Sequence, residues 1–352
     1  MEITYVGPRS DGLRHTHVPG STRSTTSCVL LLVWTALVAI FAVACGSGLP
    51  PILFTSDRDG NLDIYSVDHE GGKQTNLTPG LDDSDQSSPI VSPDRKLIAF
   101  LSGSGDNIAV DVMRIDGKSR TQATRGPGLH RSQRWSPNSD RIAYILMEGE
   151  TPVLRVVRAD GSESVLLTSI HGGEIGDWSA DEEWVVFAVH EGEGQGIWRR
   201  NPDGVNEEQL TKAPDYSPRW SPNSRLIAFL STRDGNPEIY VMKASDREVT
   251  KLTGTEAAEY HISWSPNGKR LLFVSEAPGN PEIYVTDIDG SGQIQLTQNN
   301  TVDEQPVWSP NGKKIAFVSY LDGDAEIFVM DADGKNQVRL TNNEAEDTNP
   351  SW

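Results

Sequence analysis

Carboxylates and tyrosines recur at fixed positions before a series of regularly spaced tryptophans. In four consecutive segments an acidic residue stands five positions before the tryptophan, and a tyrosine or glutamate often follows it. These residues are Asp215, Tyr216, Glu259, Tyr260, Asp303, Glu304 and Asp347. Clustered carboxylates bind hard cations such as Ca²⁺, or the basic patch of a partner protein. We therefore predict a ligand- or partner-binding site at these positions; the alternative is that the acidic loops only keep the surface soluble.

The segment Asp57-Arg-Asp-Gly-Asn-Leu-Asp63 carries three carboxylates in one turn. Its spacing loosely resembles a calcium-binding loop, but the distal glutamate of such loops is missing. Aspartate and asparagine beside glycine are also common in turns that bind no metal. We therefore predict no cofactor and no metal ion, with Ca²⁺ at Asp57, Asp59 and Asp63 as the alternative.

Few residues favour catalysis. The sequence lacks a Gly-x-Ser-x-Gly nucleophile motif and a His-Glu-x-x-His zinc motif. His130, Arg131 and His261 are the one histidine set with a basic residue that the spacing brings towards a common position. Two carboxylates at a suitable separation would also serve glycoside cleavage, but nothing singles out a pair. We predict no catalytic residue, with a carbohydrate-active lyase or hydrolase as the alternative.

The elements that must position these residues belong to a repeat. Its tryptophans lie 42 to 44 residues apart, and Val91 takes the tryptophan position once. They are Trp135, Trp178, Trp220, Trp264, Trp308 and Trp352. Each segment reads as four short strands with glycine-containing turns, and no stretch after residue 45 shows helical periodicity. A strand-rich repeat of this length is typical of a β-propeller, so the predicted fold class is all-β with four-stranded antiparallel blades.

The two ends of the array are offset from each other. Residues 52–78 read as the second to fourth strands of a blade that lacks a first strand, whereas residues 349–352 read as a first strand with nothing after it. Pairing the C-terminal strand with the N-terminal blade completes both sets and leaves no open sheet edge. We therefore predict a seven-bladed propeller over residues 51–352, closed by its C-terminal strand.

The propeller geometry places the acidic positions together. The first strand of each blade lines the central channel, so the residues just before it surround one channel mouth. Because successive strands are antiparallel, the turn after the second strand lies on the same face. The turn at Asp57–Asp63 therefore shares this mouth with the acidic positions. The tryptophans, at one position per blade, are predicted to pack between blades rather than to bind a sugar.

Residues 1–44 differ in composition from the rest of the chain. A polar stretch with three arginines precedes an apolar run at 28–44, and small residues then precede a cysteine in Ala42-Val-Ala-Cys45-Gly-Ser. This sequence resembles the lipobox of bacterial lipoproteins, which implies cleavage before Cys45, lipid attachment to it, and a short tether at 45–50. An uncleaved membrane helix and plain signal-peptide cleavage are the alternatives. All three place the later residues outside the cytoplasm.

Charge and cysteine content exclude other classes. The net charge of −19 repels phosphate backbones, so nucleic acid is not an expected partner. The two cysteines, Cys28 and Cys45, both precede the repeats. The repeats therefore contain neither a disulfide framework nor a cysteine-based metal site.

The clearest repeat reads Trp308-Ser-Pro-Asn-Gly-Lys, then Ile315-Ala-Phe, Glu326-Ile-Phe-Val and Arg339-Leu-Thr. Over residues 51–352 this pattern resembles the TolB-type propeller repeat. The resemblance implies a periplasmic protein that binds an outer-membrane lipoprotein and other envelope proteins; related propellers accompany peptidase domains or form oligogalacturonate lyases. TolB itself is similar to a six-bladed ring behind an α/β domain, whereas we count seven blades and no such domain.

Together these features predict an extracytoplasmic, membrane-anchored, non-catalytic propeller scaffold that binds a protein or other ligand at its acidic channel mouth. The expected partner is an envelope or extracellular protein, and the expected membrane contact is the lipid on Cys45. We expect a monomeric propeller in the periplasm or on the cell surface.

Overall fold

The computed structural model describes residues 48–81, 84–170, 172–277 and 279–352, and every regular element in these ranges is a β-strand. The apolar run at 28–44 and Cys45 lie outside the described residues, so the membrane segment and the lipid attachment stay predictions. Within the described ranges, no helix has the length and apolar character that crossing a bilayer requires.

The described ranges contain twenty-eight short strands, which follow one another in chain order. They are β1 (Ile52–Ser56), β2 (Asp63–Val67), β3 (Thr75–Asn76), β4 (Asp85–Val91), β5 (Leu97–Ser104), β6 (Asn107–Arg114), β7 (Thr121–Gln122), β8 (Leu129–Trp135), β9 (Arg141–Glu148), β10 (Thr151–Arg158), β11 (Ser164–Ser169), β12 (Glu174–Trp178), β13 (Val185–Val189), β14 (Gly196–Arg200), β15 (Glu207–Gln209), β16 (Asp215–Trp220), β17 (Leu226–Ser231), β18 (Glu238–Lys243), β19 (Val249–Lys251), β20 (Glu259–Trp264), β21 (Arg270–Ser275), β22 (Glu282–Asp287), β23 (Ile294–Gln295), β24 (Asp303–Trp308), β25 (Lys314–Ser319), β26 (Glu326–Asp331), β27 (Val338–Arg339) and β28 (Thr348–Ser351).

Hydrogen bonds group the strands into five four-stranded sheets and one eight-stranded sheet. The larger sheet contains two antiparallel meanders, β4–β7 and β8–β11, joined by one parallel bridge between Ile108 and Leu129. The strands β4, β8, β12, β16, β20, β24 and β28 contact one another in cyclic order. The all-β class and the four-stranded antiparallel sheets are confirmed, while seven stays the predicted number of blades.

The C-terminal strand completes the first sheet, as the sequence predicted. Strand β28 pairs antiparallel with β1, where Leu53 faces Ser351 and Thr55 faces Thr348. The indole Nε1 of Trp352 also donates to the carbonyl oxygen of Pro50 over 2.9 Å. The two ends of the array are therefore joined by backbone and side-chain hydrogen bonds.

The core lies between neighbouring sheets. Alternate residues of β17 face opposite sides of the strand: Ile227 and Phe229 pack towards the sheet of β12–β15, and Ala228 and Leu230 towards the sheet of β20–β23. All four are almost completely buried. A middle strand with both faces covered reads as a continuous apolar run, which explains the Ile-Ala-Phe segments of the repeat.

The recurring tryptophans link adjacent sheets. The indole Nε1 of Trp178 donates to the carbonyl oxygen of Arg134 over 3.2 Å, and that of Trp264 to the carbonyl oxygen of Arg219 over 3.0 Å. In both contacts the acceptor residue directly precedes the tryptophan position of another repeat. Each such indole therefore fixes the distance between two first strands.

Candidate functional site

Four of the predicted site residues are carboxylates buried inside the sheets. Asp215, Glu259 and Asp303 begin β16, β20 and β24, and Asp347 directly precedes β28. All four residues are at most 1% exposed. The sequence predicted them at an open channel mouth, but the structure places them beneath its surface, where protein groups bond to them.

Two of these carboxylates are held by an arginine from the turn after the second strand. Nη2 of Arg233 lies 2.7 Å from both carboxylate oxygens of Asp215. The Oγ atom of Ser231 accepts a hydrogen bond from Nε of Arg233, and the guanidinium lies over the ring of Tyr240, 4.7 Å from its centroid. Arg58 holds Asp347 in the same way. These ion pairs fasten the turn to the first strand.

Among the described residues Glu259 has no arginine partner, because Ala277 stands two residues after Ser275, where Arg233 stands after Ser231. Its carboxylate accepts a hydrogen bond from the hydroxyl of Thr255 over 2.8 Å instead. Burial, reinforced by the neighbouring carboxyl of Glu238, raises the pKa of Glu259 to about 7. Glu259 therefore titrates near neutral pH.

Asp303 also has no arginine partner in the part of the chain that the structure describes. Nδ2 of Asn299 donates to its carboxylate over 2.7 Å. Burial is the main cause that raises the pKa of Asp303, and the carboxyl of Glu282 adds to it. Asp303, like Glu259, therefore holds a loop rather than displaying a charge to solvent.

The predicted residues that reach the surface are Tyr216, Tyr260 and Glu304, all half-buried. The two tyrosines pack on the same apolar cluster. Burial and the nearby carboxylates of Glu304 and Glu276 raise the pKa of Tyr260 to about 12. The pKa of Tyr320 is raised by burial and also by Glu304. We call Tyr216, Tyr260, Glu304 and Tyr320 the mouth patch.

Exposed carboxylates lie on the loops that share the face of the mouth patch; Glu276 is near Tyr260 and Glu346 is near Tyr320. These carboxylates are Asp57, Asp59, Glu256, Glu276, Asp322, Glu344 and Glu346. The acidity that the sequence predicted at the mouth is thus carried at the surface mainly by neighbours of the predicted residues.

The three candidate calcium ligands bond to protein donors. Asp57 accepts a hydrogen bond from the backbone N–H of Glu346 over 3.0 Å. Asp59 accepts from the hydroxyl of Tyr65, and the buried Asp63 accepts from the hydroxyl of Thr78 over 2.7 Å. In the part of the chain that the structure describes, no three histidine, cysteine or acidic residues are grouped as metal ligands.

A recurring bulge in the first strands was not predicted from the sequence. Three residues before the tryptophan position, six segments place a polar residue with φ between 49° and 57°, in the left-handed region. These residues are Ser88, Ser132, Ser217, His261, Gln305 and Asn349. The register shifts beside each of them, as a β-bulge requires. Polarity was their one shared signal in the sequence.

The bulges border a cavity of about 1090 Å³. Ser88, Ser132, His261, Gln305 and Asn349 are among its lining residues, together with the tryptophans Trp135, Trp178, Trp220 and Trp264. Because a bulge re-aims the side chains of its strand, five of the six bulge residues line this cavity, and Ser217 is the exception. The residues five positions before the tryptophan do not line this cavity.

The predicted set of His130, Arg131 and His261 is divided. Arg131 and His261 line the cavity. His130 is 1% exposed, its Nδ1 lies 2.6 Å from the carbonyl oxygen of Ile108, and burial lowers its pKa. His130 is therefore part of the protein interior.

Comparison with known proteins gives consistent matches over the repeats. The family model described as TolB beta propeller domain matches residues 49–175, 177–320 and 264–352. The protein TolB homolog of Chlorobium luteolum is 29% identical over 191 residues, which cover 54% of this chain and 34% of the relative. The Tol-Pal system protein TolB of Anaeromyxobacter dehalogenans is 31% identical over 165 residues, which cover 42% and 36%. The chain spans about a third of the length of the curated relatives it matches.

Among solved structures, the oligogalacturonate lyase of Vibrio parahaemolyticus superposes with a TM-score of 0.65 at 17% identity. The match covers 80% of this chain and 86% of the lyase. At this identity the likeness concerns the fold alone.

Proposed function

Because the chain belongs to the TolB β-propeller domain family, we propose that it is an exported, membrane-anchored and non-catalytic scaffold that binds an envelope protein through the mouth patch. The observation that carries the proposal is the grouping of half-buried tyrosines with surface carboxylates on one face. Tyrosines are enriched at protein interfaces, and acidic surroundings favour a partner with a basic patch.

The names of the relatives support an envelope role. One of them is a Tol-Pal system protein, and a chain similar to it over the propeller repeats is suited to the same compartment. Its partners remain a proposal here because this chain spans about a third of such relatives.

In this proposal the buried carboxylates act indirectly. Asp215 and Asp347 hold the turns that carry Arg233 and Arg58, and Glu259 and Asp303 hold the loops before β20 and β24. A rigid rim loses less conformational entropy on binding than a mobile one. A lipid on Cys45, followed by the tether at 45–50, would anchor the scaffold, and mass spectrometry of the mature protein tests for that lipid.

Site-specific photocrosslinking tests the binding face. A photoreactive residue at Tyr260 is expected to crosslink one envelope protein in intact cells, whereas the same residue at Lys269, an exposed position after the end of β20, is not. Glu304→Gln should weaken the crosslink, and added salt should weaken it further. Equal crosslinking from both positions, or none from Tyr260, would contradict binding at the mouth patch.

The second candidate is a carbohydrate-active lyase or hydrolase at the channel mouth. The likeness to an oligogalacturonate lyase in fold is the observation that favours it. Incubating the purified protein with oligogalacturonate and separating the products by chromatography tests this candidate. Shortened oligosaccharides that disappear with Glu304→Gln would replace the scaffold proposal by the enzymatic one.

A further inference from the structure

The cavity has a charge opposite to that of the protein as a whole. The chain carries a net charge of −19, but the charged lining residues are Arg131, Arg134, Arg219 and one carboxylate, Asp177, beside His261. A basic cavity in an acidic protein concentrates anions there and repels them from the rest of the surface. The cavity is therefore a candidate anion site separate from the mouth patch.

Two of its arginines converge on one backbone oxygen. Nε of Arg134 and Nη1 of Arg219 each lie 3.2 Å from the carbonyl oxygen of Gly176. A side chain at Gly176 would not fit, because its Cβ would lie 2.3 Å from the carbonyl oxygen of Pro218. The close approach of the two strands thus fixes the point where both guanidinium groups meet.

Both guanidinium groups keep donors for a ligand. Nη1 of Arg134 also donates to the carbonyl oxygen of Gln133, and Nη1 of Arg219 to that of Pro218. In the described residues neither arginine has a carboxylate within 4.0 Å, and neither Nη2 group has a hydrogen-bond acceptor. Trp220 also lines the cavity and is 5% exposed, and its buried indole Nε1 has no acceptor within the described ranges.

The two guanidinium groups repel each other electrostatically. Burial lowers the pKa of Arg134 to about 10, and the neighbouring charge of Arg219 contributes to this shift. Asp177 and Glu174 lie near enough to offset part of the positive charge. Burial raises the pKa of Asp177, while the charges of Arg219 and Arg134 act in the opposite direction. An additional anion between the arginines would relieve the repulsion between them.

We propose that Arg134 and Arg219 bind the carboxylate group of a ligand that enters the cavity. A guanidinium offers parallel N–H donors that match the two oxygens of a carboxylate, and two such groups hold one carboxylate from two directions. The carboxylate belongs either to a free small acid or to the C-terminus of a peptide. This site uses no residue of the mouth patch, so it does not depend on the proposed scaffold function.

Calorimetric titration at low ionic strength tests the proposal. The probes are succinate, the dipeptide N-acetyl-alanyl-alanine, their neutral amides, and inorganic phosphate. At least one carboxylate is expected to bind at least tenfold more tightly than its amide, and the preferred probe identifies the source of the carboxylate. Binding should weaken at least tenfold in the Arg134→Gln/Arg219→Gln double variant.

Arg225→Gln is the control for each single loss of charge, because Arg225 is exposed and its replacement removes one positive charge outside the cavity, against two in the double variant. Its affinity should stay within twofold of the parent protein. The single variants Arg134→Lys and Arg219→Lys keep the charge, and thermal unfolding of every variant verifies folding. Equal binding of acid and amide, unchanged binding in a folded double variant, or tighter binding of phosphate than of both acids would overturn the proposal.

Discussion

Arg58 and Asp347 stand 289 positions apart in the chain, and Nη2 of the arginine lies 2.9 and 2.7 Å from the two carboxylate oxygens. Arg233 and Asp215 make the same contact within one continuous stretch of chain, 18 positions apart. The sheet that joins the two ends of the array therefore contains the same arginine–aspartate ion pair as the sheet of β16–β19. The pair is long-range in sequence in the first sheet and local in the second.

Replacing Arg58 is expected to destabilise the closed array. Arg58→Ala leaves the buried carboxylate of Asp347 without its cation, which costs about 3–5 kcal/mol of unfolding free energy. Urea unfolding followed by tryptophan fluorescence measures the change. Adding Asp347→Asn in the same chain should recover part of the loss, since the unpaired charge is then gone. A loss below about 1 kcal/mol for Arg58→Ala would show that the ion pair is dispensable.

Glu259 is expected to make stability depend on pH. Its pKa of about 7 lies above the ordinary value of 4.5, so its contribution is fully present below about pH 4.5 and is lost as the pH rises to about 7. Glu259→Gln should reduce the decline of the unfolding free energy across this window by up to about 1.4 kcal/mol per pH unit. Urea unfolding at several pH values measures it. Glu256→Gln, at an exposed position of the same loop, should leave the pH profile unchanged.

Gly176 is expected to tolerate no side chain. Gly176→Ala should lower the unfolding free energy by about 1–3 kcal/mol, because the new methyl group would press on the backbone of Pro218. A shift of the carbonyl oxygen of residue 176, which accepts from both Arg134 and Arg219, should also weaken carboxylate binding by these arginines. Gly254→Ala is the control, since nothing lies within 4 Å of a Cβ there and its stability should hardly change. Similar stabilities of the two variants in thermal unfolding would contradict this account of Gly176.

The contribution of an indole hydrogen bond between sheets to the free energy of unfolding is expected to be measurable by comparing two tryptophans. Nε1 of Trp178 donates to the carbonyl oxygen of Arg134, whereas Nε1 of Trp220 has no hydrogen-bond partner among the residues that the structure describes. The two tryptophans are 4% and 5% exposed. Phenylalanine removes a similar volume at both sites, so Trp178→Phe should cost about 1 kcal/mol more than Trp220→Phe. Denaturant unfolding of both variants gives the difference. An equal loss would mean that the indole bond adds nothing to stability.

The fold was predictable from the sequence because the local signals within each repeat agree with one another. The tryptophan spacing and the Ile-Ala-Phe runs predicted four-stranded sheets, the offset of the two ends predicted the pairing of β28 with β1, and the family match confirmed the TolB-type resemblance. Each of these signals is set by backbone pattern and burial, which a single repeat already displays.

The site was less predictable because it depends on contacts between separate segments. Nothing local to Asp215 shows that Arg233 folds back over it, and the fate of Glu259 depends on Ala277 at the corresponding turn position. The bulge at Ser217 could not be predicted from the alternation of apolar and polar residues, because that pattern assumes regular strands. Arg134 and Arg219 belong to two different repeats, and they converge on the carbonyl oxygen of Gly176, which belongs to another repeat again.

The pairing of β28 with β1 also sets the order of events during synthesis. The first sheet contains β1, yet it stays incomplete until β28, which follows about 290 residues later in the chain, has been made. Nascent chains would therefore expose the open edge of β1 until β28 has been synthesised. A variant without β28 would keep that edge open and become a substrate for proteases or for association with other chains.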